Sequence, residues 1–220
     1  MFLLIIILSF GASALVRAWM TRTYSKWSKV QNRAGINGHA VARQILDTNE
    51  LQSVTLDVSQ GMLTDHYIPS KKLIRLSEDI NNAPTVASIA VAAHECGHAI
   101  QDKEGYGPLK LKAVLMPLAA IGNQAGLALT LGSAMFGSGA LMNTGLLLML
   151  LGMLMPLLTL PIEFDASRRA LNELTRLNLV DDNEYQGAKS MLRAAAMTYV
   201  AGAASSMAIV ALLLFRFIRR

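Results

Sequence analysis

His94, Glu95 and His98 are the residues of this chain whose types and spacing could do chemistry; they lie in the stretch Val91-Ala92-Ala93-His94-Glu95-Cys96-Gly97-His98-Ala99-Ile100-Gln101. An α-helix advances about 100° per residue, so two histidines four apart stand one turn above each other on one face. Two neutral imidazoles so placed can take two corners of a tetrahedral zinc site. Glu95, beside the first of them, is placed to pull a proton from a metal-activated water that attacks a carbonyl. That chemistry is hydrolysis, and it requires a helix here and a third ligand elsewhere. Read as two satisfied structural histidines, the stretch would owe its spacing to coincidence. Cys96 is most simply a small buried filler, with an extra ligand or an oxidation site as the alternative.

The elements around the motif can supply a helix. Asn82 can cap it, Pro84 suits a first turn, and Gly105 and Gly107 sit beyond its expected end. Val86, Ile89, Ala93, Gly97 and Ile100 form an apolar stripe at helical spacing, and both histidines fall on its flank. The expectation is a helix with one side in a core and a site along its shoulder.

A third ligand is offered by Ile162-Glu163-Phe164-Asp165-Ala166-Ser167, directly after Pro161. A proline followed by acidic residues is a helix-start signature. Two neutral imidazoles, one carboxylate and a water make a catalytic zinc set, so Glu163 is the candidate and Asp165 its rival. Ser167 shares the face of Glu163, while Asp165 points elsewhere. Either acid could instead do no more than favour a helix dipole.

Of 220 residues, 53% are apolar, and the mean hydropathy is +0.38. A chain of one domain's length at that hydropathy points to a membrane protein. The single cysteine excludes an intrachain disulfide framework. The net charge of +5 reads as orientation and attraction to an anionic lipid bilayer; no nucleic-acid-reading motif accompanies it.

Four apolar spans are expected. Residues 1–20 read as an uncleaved anchor, because the positive charges (Arg17, Arg22, Lys26, Lys29, Arg33) follow the apolar run; Ala12-Ser13-Ala14 keeps signal-peptide cleavage as the alternative. Those charges place the N-terminus outside and the next segment in the cytoplasm, with Trp19, Tyr24 and Trp27 as an interfacial belt. Further spans are 113–136, with a Gly122-xxx-Gly126 pair for close helix approach and Asn123 and Gln124 for interhelical bonds, 141–161, and 198–217. Arg216, Arg219 and Arg220 then fall outside, against the positive-inside tendency.

Between the spans, 21–112 forms a cytoplasmic catalytic segment and 162–197 a second cytoplasmic stretch of helices. Gly38 to Leu46 reads as a short helix, and residues 54–58 and 72–77 as alternating strands. The strand before the histidine helix could offer its edge to an extended peptide. The fold class is thus a mainly α membrane protein of about four transmembrane helices, with a small α+β zincin-like catalytic domain holding a short β-hairpin or sheet.

The residues His-Glu-Cys-Gly-His-Ala-Ile-Gln, followed by Pro-Ile-Glu-Phe-Asp-Ala-Ser, resemble the YugP-like family of bacterial membrane neutral zinc metallopeptidases. Leu63-Thr64-Asp65-His66-Tyr67 and Thr198-Tyr199-Val200-Ala201 extend the resemblance over nearly the whole chain, and the layout is similar to the HtpX-type membrane proteases. The resemblance implies one zinc ion on His94, His98 and Glu163, with Glu95 as general base and then proton donor to the leaving amine. HtpX-type proteases carry aspartate where this chain has Ser167; Ser167 and Asp165 are both candidates for the supporting hydrogen bond, and Asp165 could supply it in place of that aspartate. A transition-state oxyanion needs a further donor. Tyr199, His66 and Arg193 are candidates, each with a plain alternative as an interfacial aromatic, a loop histidine and an anchoring cation.

Two other readings compete with a gluzincin-like endopeptidase at the cytoplasmic face of the bacterial inner membrane. A site-2-type intramembrane protease would need the histidine helix to span the bilayer, but the apolar run before His94 is about half of the roughly twenty residues required. A non-catalytic zinc-binding scaffold would not need Glu95, and a zinc carrier would need charged ligands in mid-span. Expected partners are membrane-protein loops or peptides as substrates, and a homo-oligomer or regulatory membrane partner remains open.

Overall fold

A computed structural model describes residues 2–218, and among them the chain forms seven α-helices and three short strands. In order these are α1 (Phe2–Trp27), α2 (Gly38–Thr48), β1 (Thr55–Ser59), β2 (His66–Ile68), β3 (Leu73–Ser77), α3 (Glu78–Asn82), α4 (Val86–Lys103), α5 (Gly107–Phe136), α6 (Gly139–Arg176) and α7 (Asp182–Ile218). Arg219 and Arg220, part of the expected basic tail, lie outside the described residues. The chain divides into two compact units. One comprises Arg17–Tyr106 and Ile162–Met197; the other comprises the lengths up to Val16, Gly107–Pro161 and from Thr198 on.

In the first unit, α2 buries Val41, Ala42, Ile45 and Leu46, as its spacing predicts, and Asn37 caps it by accepting from the Ala40 amide. α4 packs on α2 and on the sheet, and its core face (Val86, Ile89, Ala93, Cys96, Ile100) is buried. The cap of α4 is not Asn82, which ends α3. Pro84 holds Ala83 extended, and the helix starts only after it, with the Thr85 side chain accepting from the Ser88 amide. The far end closes at Gly105, whose φ of +68° suits glycine.

The sheet order is β1-β3-β2. β1 and β3 are the two expected strands, but they pair in parallel (Thr55 with Leu73, Val58 with Leu76), not as a hairpin. β2 joins β3 antiparallel, with Tyr67 opposite Ile74. This corrects the expected free edge: β3 is flanked on both sides, and the strands at the edges are β1 and β2. Three residues are too few to show alternation, so β2 has no periodic signal of its own.

Among the described residues, two helices are long and apolar enough to cross a membrane: Gly107–Ser133, of mean hydropathy 1.5, in the second unit, and Gly139–Arg176, of 2.2, whose length up to Pro161 belongs to that unit. Their backbones approach closely at the expected glycines, where a Cβ on Gly126 would sit 2.7 Å from the Gly145 carbonyl oxygen. α6 does not stop at Pro161. It runs through Pro156 and Pro161 to Arg176, since a proline removes one amide bond without preventing the helix from resuming. α7 is likewise one helix across the expected break at 197–198.

Candidate metal centre

α4 supplies His94, Glu95 and His98, and α6 supplies Glu163; all four belong to the first unit. Ile162, Ala166, Ala170 and Leu174 recur every four residues on α6 and are fully buried. Glu163 and Ser167, also four apart, stand on the shoulder of that stripe. The crossing depends on Gly97: a Cβ there would meet the Ala166 carbonyl oxygen at 2.5 Å. Backbone contact at Gly97 brings the acidic shoulder of α6 against the histidine shoulder of α4.

The histidine rings meet edge to face, 4.8 Å between centroids. Glu163 Oε2 lies 3.3 Å from His94 Nε2 and 3.8 Å from His98 Nε2. One ligand atom from each of the three falls within 4.8 Å of the others. Ligands bound tetrahedrally at about 2.0–2.1 Å stand about 3.3 Å apart, so the trio could close on one ion with little movement.

The other ring nitrogens are already engaged. His94 Nδ1 is 3.3 Å from Ser167 Oγ, and His98 Nδ1 is 3.0 Å from Gln101 Oε1. Gln101 is fully buried, and its Nε2 donates to the Ile162 carbonyl (2.8 Å) and to Asp165 Oδ2 (2.9 Å). With both amide donors so used, the oxygen faces His98 and can only accept. His98 is therefore protonated on Nδ1, and its Nε2 lone pair points toward Glu163. Two imidazole nitrogens and one carboxylate oxygen, with the Nδ1 atoms held, fit zinc.

Glu95 is buried beside the trio. Burial pushes its carboxyl up to about 7, helped by the charges of Asp65 and Glu163, while His94 and the Tyr67 backbone amide act the other way. At His94, burial lowers the pKa, but the hydrogen bond to Glu163 and the charges of Glu95 and Glu163 outweigh it and leave it raised. A carboxyl poised near neutrality can accept a proton and give it back.

Asp165 turns away from the trio. Arg168, Arg169 (2.5 Å) and Gln101 hold its carboxylate, and these bonds outweigh burial and keep its pKa low. Ser167 itself reaches His94 Nδ1, the contact for which Asp165 is the other candidate. His66 is exposed and lies 2.7 Å from the Thr64 carbonyl through Nδ1. Arg193 is exposed on α7, and Tyr199 belongs to the other unit. Cys96 is buried and donates weakly to the Ala42 carbonyl on α2, which fits the filler reading.

Gln101 and β2 were not singled out by the residue pattern. Gln101 carried a signal all the same: a polar residue three positions after His98, on the shoulder of a core helix. β2 runs beside α4, where the Tyr67 amide donates to Glu95 and the Tyr67 hydroxyl to Asp102 (2.7 Å). Asp65 ties its start to β3 by accepting from the Ser77 amide (2.7 Å).

A family model described as "Putative neutral zinc metallopeptidase" matches residues 2–218, and the chain belongs to that family. The chain is 36% identical over 207 residues to the "Putative membrane protease YugP" of Bacillus subtilis (strain 168), covering 94% of this chain and 92% of the relative. No solved structure matches. The protein is therefore a member of a zinc peptidase family, with a trio of side chains that could hold the metal.

Proposed function

We propose that this protein is a membrane-embedded zinc metalloendopeptidase that hydrolyses peptide bonds at the cytoplasmic face of the bacterial plasma membrane. The observation that carries the reading is the meeting of His94, His98 and Glu163 beside the buried carboxyl of Glu95. Zinc held by the trio would supply a Lewis acid able to polarise the scissile carbonyl and acidify water. Glu95 takes the proton of the attacking water and returns it to the departing amine nitrogen, a double role suited to a carboxyl held near 7. Gln101 and Ser167 hold the two imidazoles by Nδ1, with Nε2 turned toward Glu163, where the trio would take the metal.

Four spans anchor the enzyme: the apolar lengths of α1, α5, α6 up to Pro161, and α7 from Thr198. The catalytic residues come from 21–112 and 162–197, which the basic residues after α1's apolar length assign to the cytoplasm. β2 has a neighbouring strand on one side only, so its outer edge can pair with an extended substrate without reading its sequence. Substrates are then cytoplasmic loops of membrane proteins or short peptides. A purely structural zinc protein would not need an acid at 95. Glu95→Gln should keep one zinc per chain by metal analysis and cleave no casein-type substrate; full cleavage by that variant would overturn the proposal.

A further inference from the structure

Beyond the metal trio, the first unit contains a cavity of about 440 Å³ between α1, α3, the start of α4 and the loop before β2. Its lining is rich in hydroxyls (Tyr24, Ser25, Ser28 and Ser88 among them), with Met62 on one wall and the carboxylate of Asp79 as its one charged group. Asp79 is exposed, and among the described residues no ion pair engages it.

This cavity lies in line with the catalytic acid. Ser88 precedes Glu95 by seven residues, two helical turns, so both stand on one face of α4 about 10 Å apart. The segment from Met62 to Tyr67 bridges the same interval: Met62 lines the cavity, and the Tyr67 amide touches Glu95. Asp65, midway along it, is close enough to act on both the Tyr24 hydroxyl and Glu95. An extended peptide advances about 3.3 Å per residue, so one paired along β2 would reach the cavity about three residues from its scissile bond.

The geometry points to this cavity as a substrate subsite that takes a cationic side chain, lysine or arginine, about three residues from the cleaved bond, with Asp79 as its specificity determinant. This rests on the peptidase reading above. The chemistry of the walls selects the ligand: hydroxyls solvate the donors of an ammonium or guanidinium, Asp79 supplies the opposite charge, and Met62 and Ile80 cover the aliphatic stem. The neighbouring cations Arg22, Lys26 and Lys29 line an open groove that meets the cavity at Thr21 and Ser25. At about 100° per residue, Arg22 and Lys26 stand roughly 110–150° around α1 from the cavity face. Such a subsite matches a cytoplasmic loop next to a membrane span, where basic residues concentrate.

The test uses the full-length, zinc-loaded protein in detergent or nanodiscs, with peptides carrying lysine or isosteric norleucine at each position flanking a cleavable bond. Wild type should prefer lysine by about fivefold in kcat/KM at one position about three residues away, a magnitude fitting a partly solvated ion pair. Asp79→Asn should bring the ratio near one. So should Ser25→Lys, which sets a fixed cation in the exposed rim and guards against a folding effect at α3. Fluorescence anisotropy of the same peptides on Glu95→Gln, with and without Asp79→Asn, reads the preference without turnover. No lysine preference at any position, or a preference that survives Asp79→Asn, overturns the subsite. If wild type cleaves nothing but the Asp79-dependent binding ratio is present, hydrolysis fails and the subsite stands.

Discussion

Replacing Gln101 by methionine would remove the side chain that joins His98 to α6 while keeping nearly the same shape. Three hydrogen bonds disappear: the one from His98 Nδ1, and those to the Ile162 carbonyl and to Asp165. Asp165 keeps Arg168 and Arg169, and the Ile162 carbonyl keeps its helical partner within α6, so the group that loses its acceptor is the His98 Nδ1–H. Such a loss costs about 1–3 kcal/mol, and the apolar methionine offsets part of that, for a net loss of about 1–2 kcal/mol. The metal should suffer separately. Without its acceptor the imidazole can rotate or change tautomer, and removing such a support weakens metal binding about 10- to 100-fold. Competition with a chromophoric chelator on purified protein measures the affinity, and thermal melting of the metal-free form measures the stability. Gln101→Glu separates the two effects. It retains an acceptor for His98 but sets a second carboxylate against Asp165, so stability should fall more than zinc affinity. Zinc binding within twofold of wild type in a folded Gln101→Met protein would refute the argument that this amide sets the tautomer.

Glu163→Ala should lower zinc occupancy far more than Asp165→Ala, measured by metal analysis; the reverse order would exchange their roles. Gly97→Ala drives a Cβ against the Ala166 carbonyl at 2.5 Å, and a rigid backbone cannot yield as a side chain does, so a loss of about 3 kcal/mol or failure to fold is expected in melting experiments. Ser167→Ala should weaken zinc binding about tenfold, with Ser167→Asp restoring it; equal affinities in all three would show that the serine supports nothing. In the metal-free protein, Glu95 titrates near 7 against an ordinary value of 4.5, and His94 is also raised. Between those values the folded state keeps protons that the unfolded chain has released, so stability falls as pH rises from about 4.5 to 7. A melting temperature of chelator-treated protein that climbs across that window would contradict the shift.

Much of the architecture is carried by local patterns. The apolar period of α2 and of α4, the alternation in β1 and β3, and the hydropathy of α5 and α6 depend on neighbours within a few turns, and they are legible without the fold. So is the pairing of His94 with His98, because one turn of one helix sets it. What the chain order could not decide is how separate elements meet. The rotation of α6 against α4 is set by backbone contact at Gly97 and Ala166, and that rotation turns Glu163 and Ser167 to the histidines and Asp165 to Arg168, Arg169 and Gln101. The sheet order is of the same kind: β2 gains its place from β3 and α4 through Tyr67, Asp65 and Ser77, with no periodicity to announce it. A helix fixes which residues share a face by covalent geometry alone, whereas the partner of that face is chosen by packing between segments far apart in the chain.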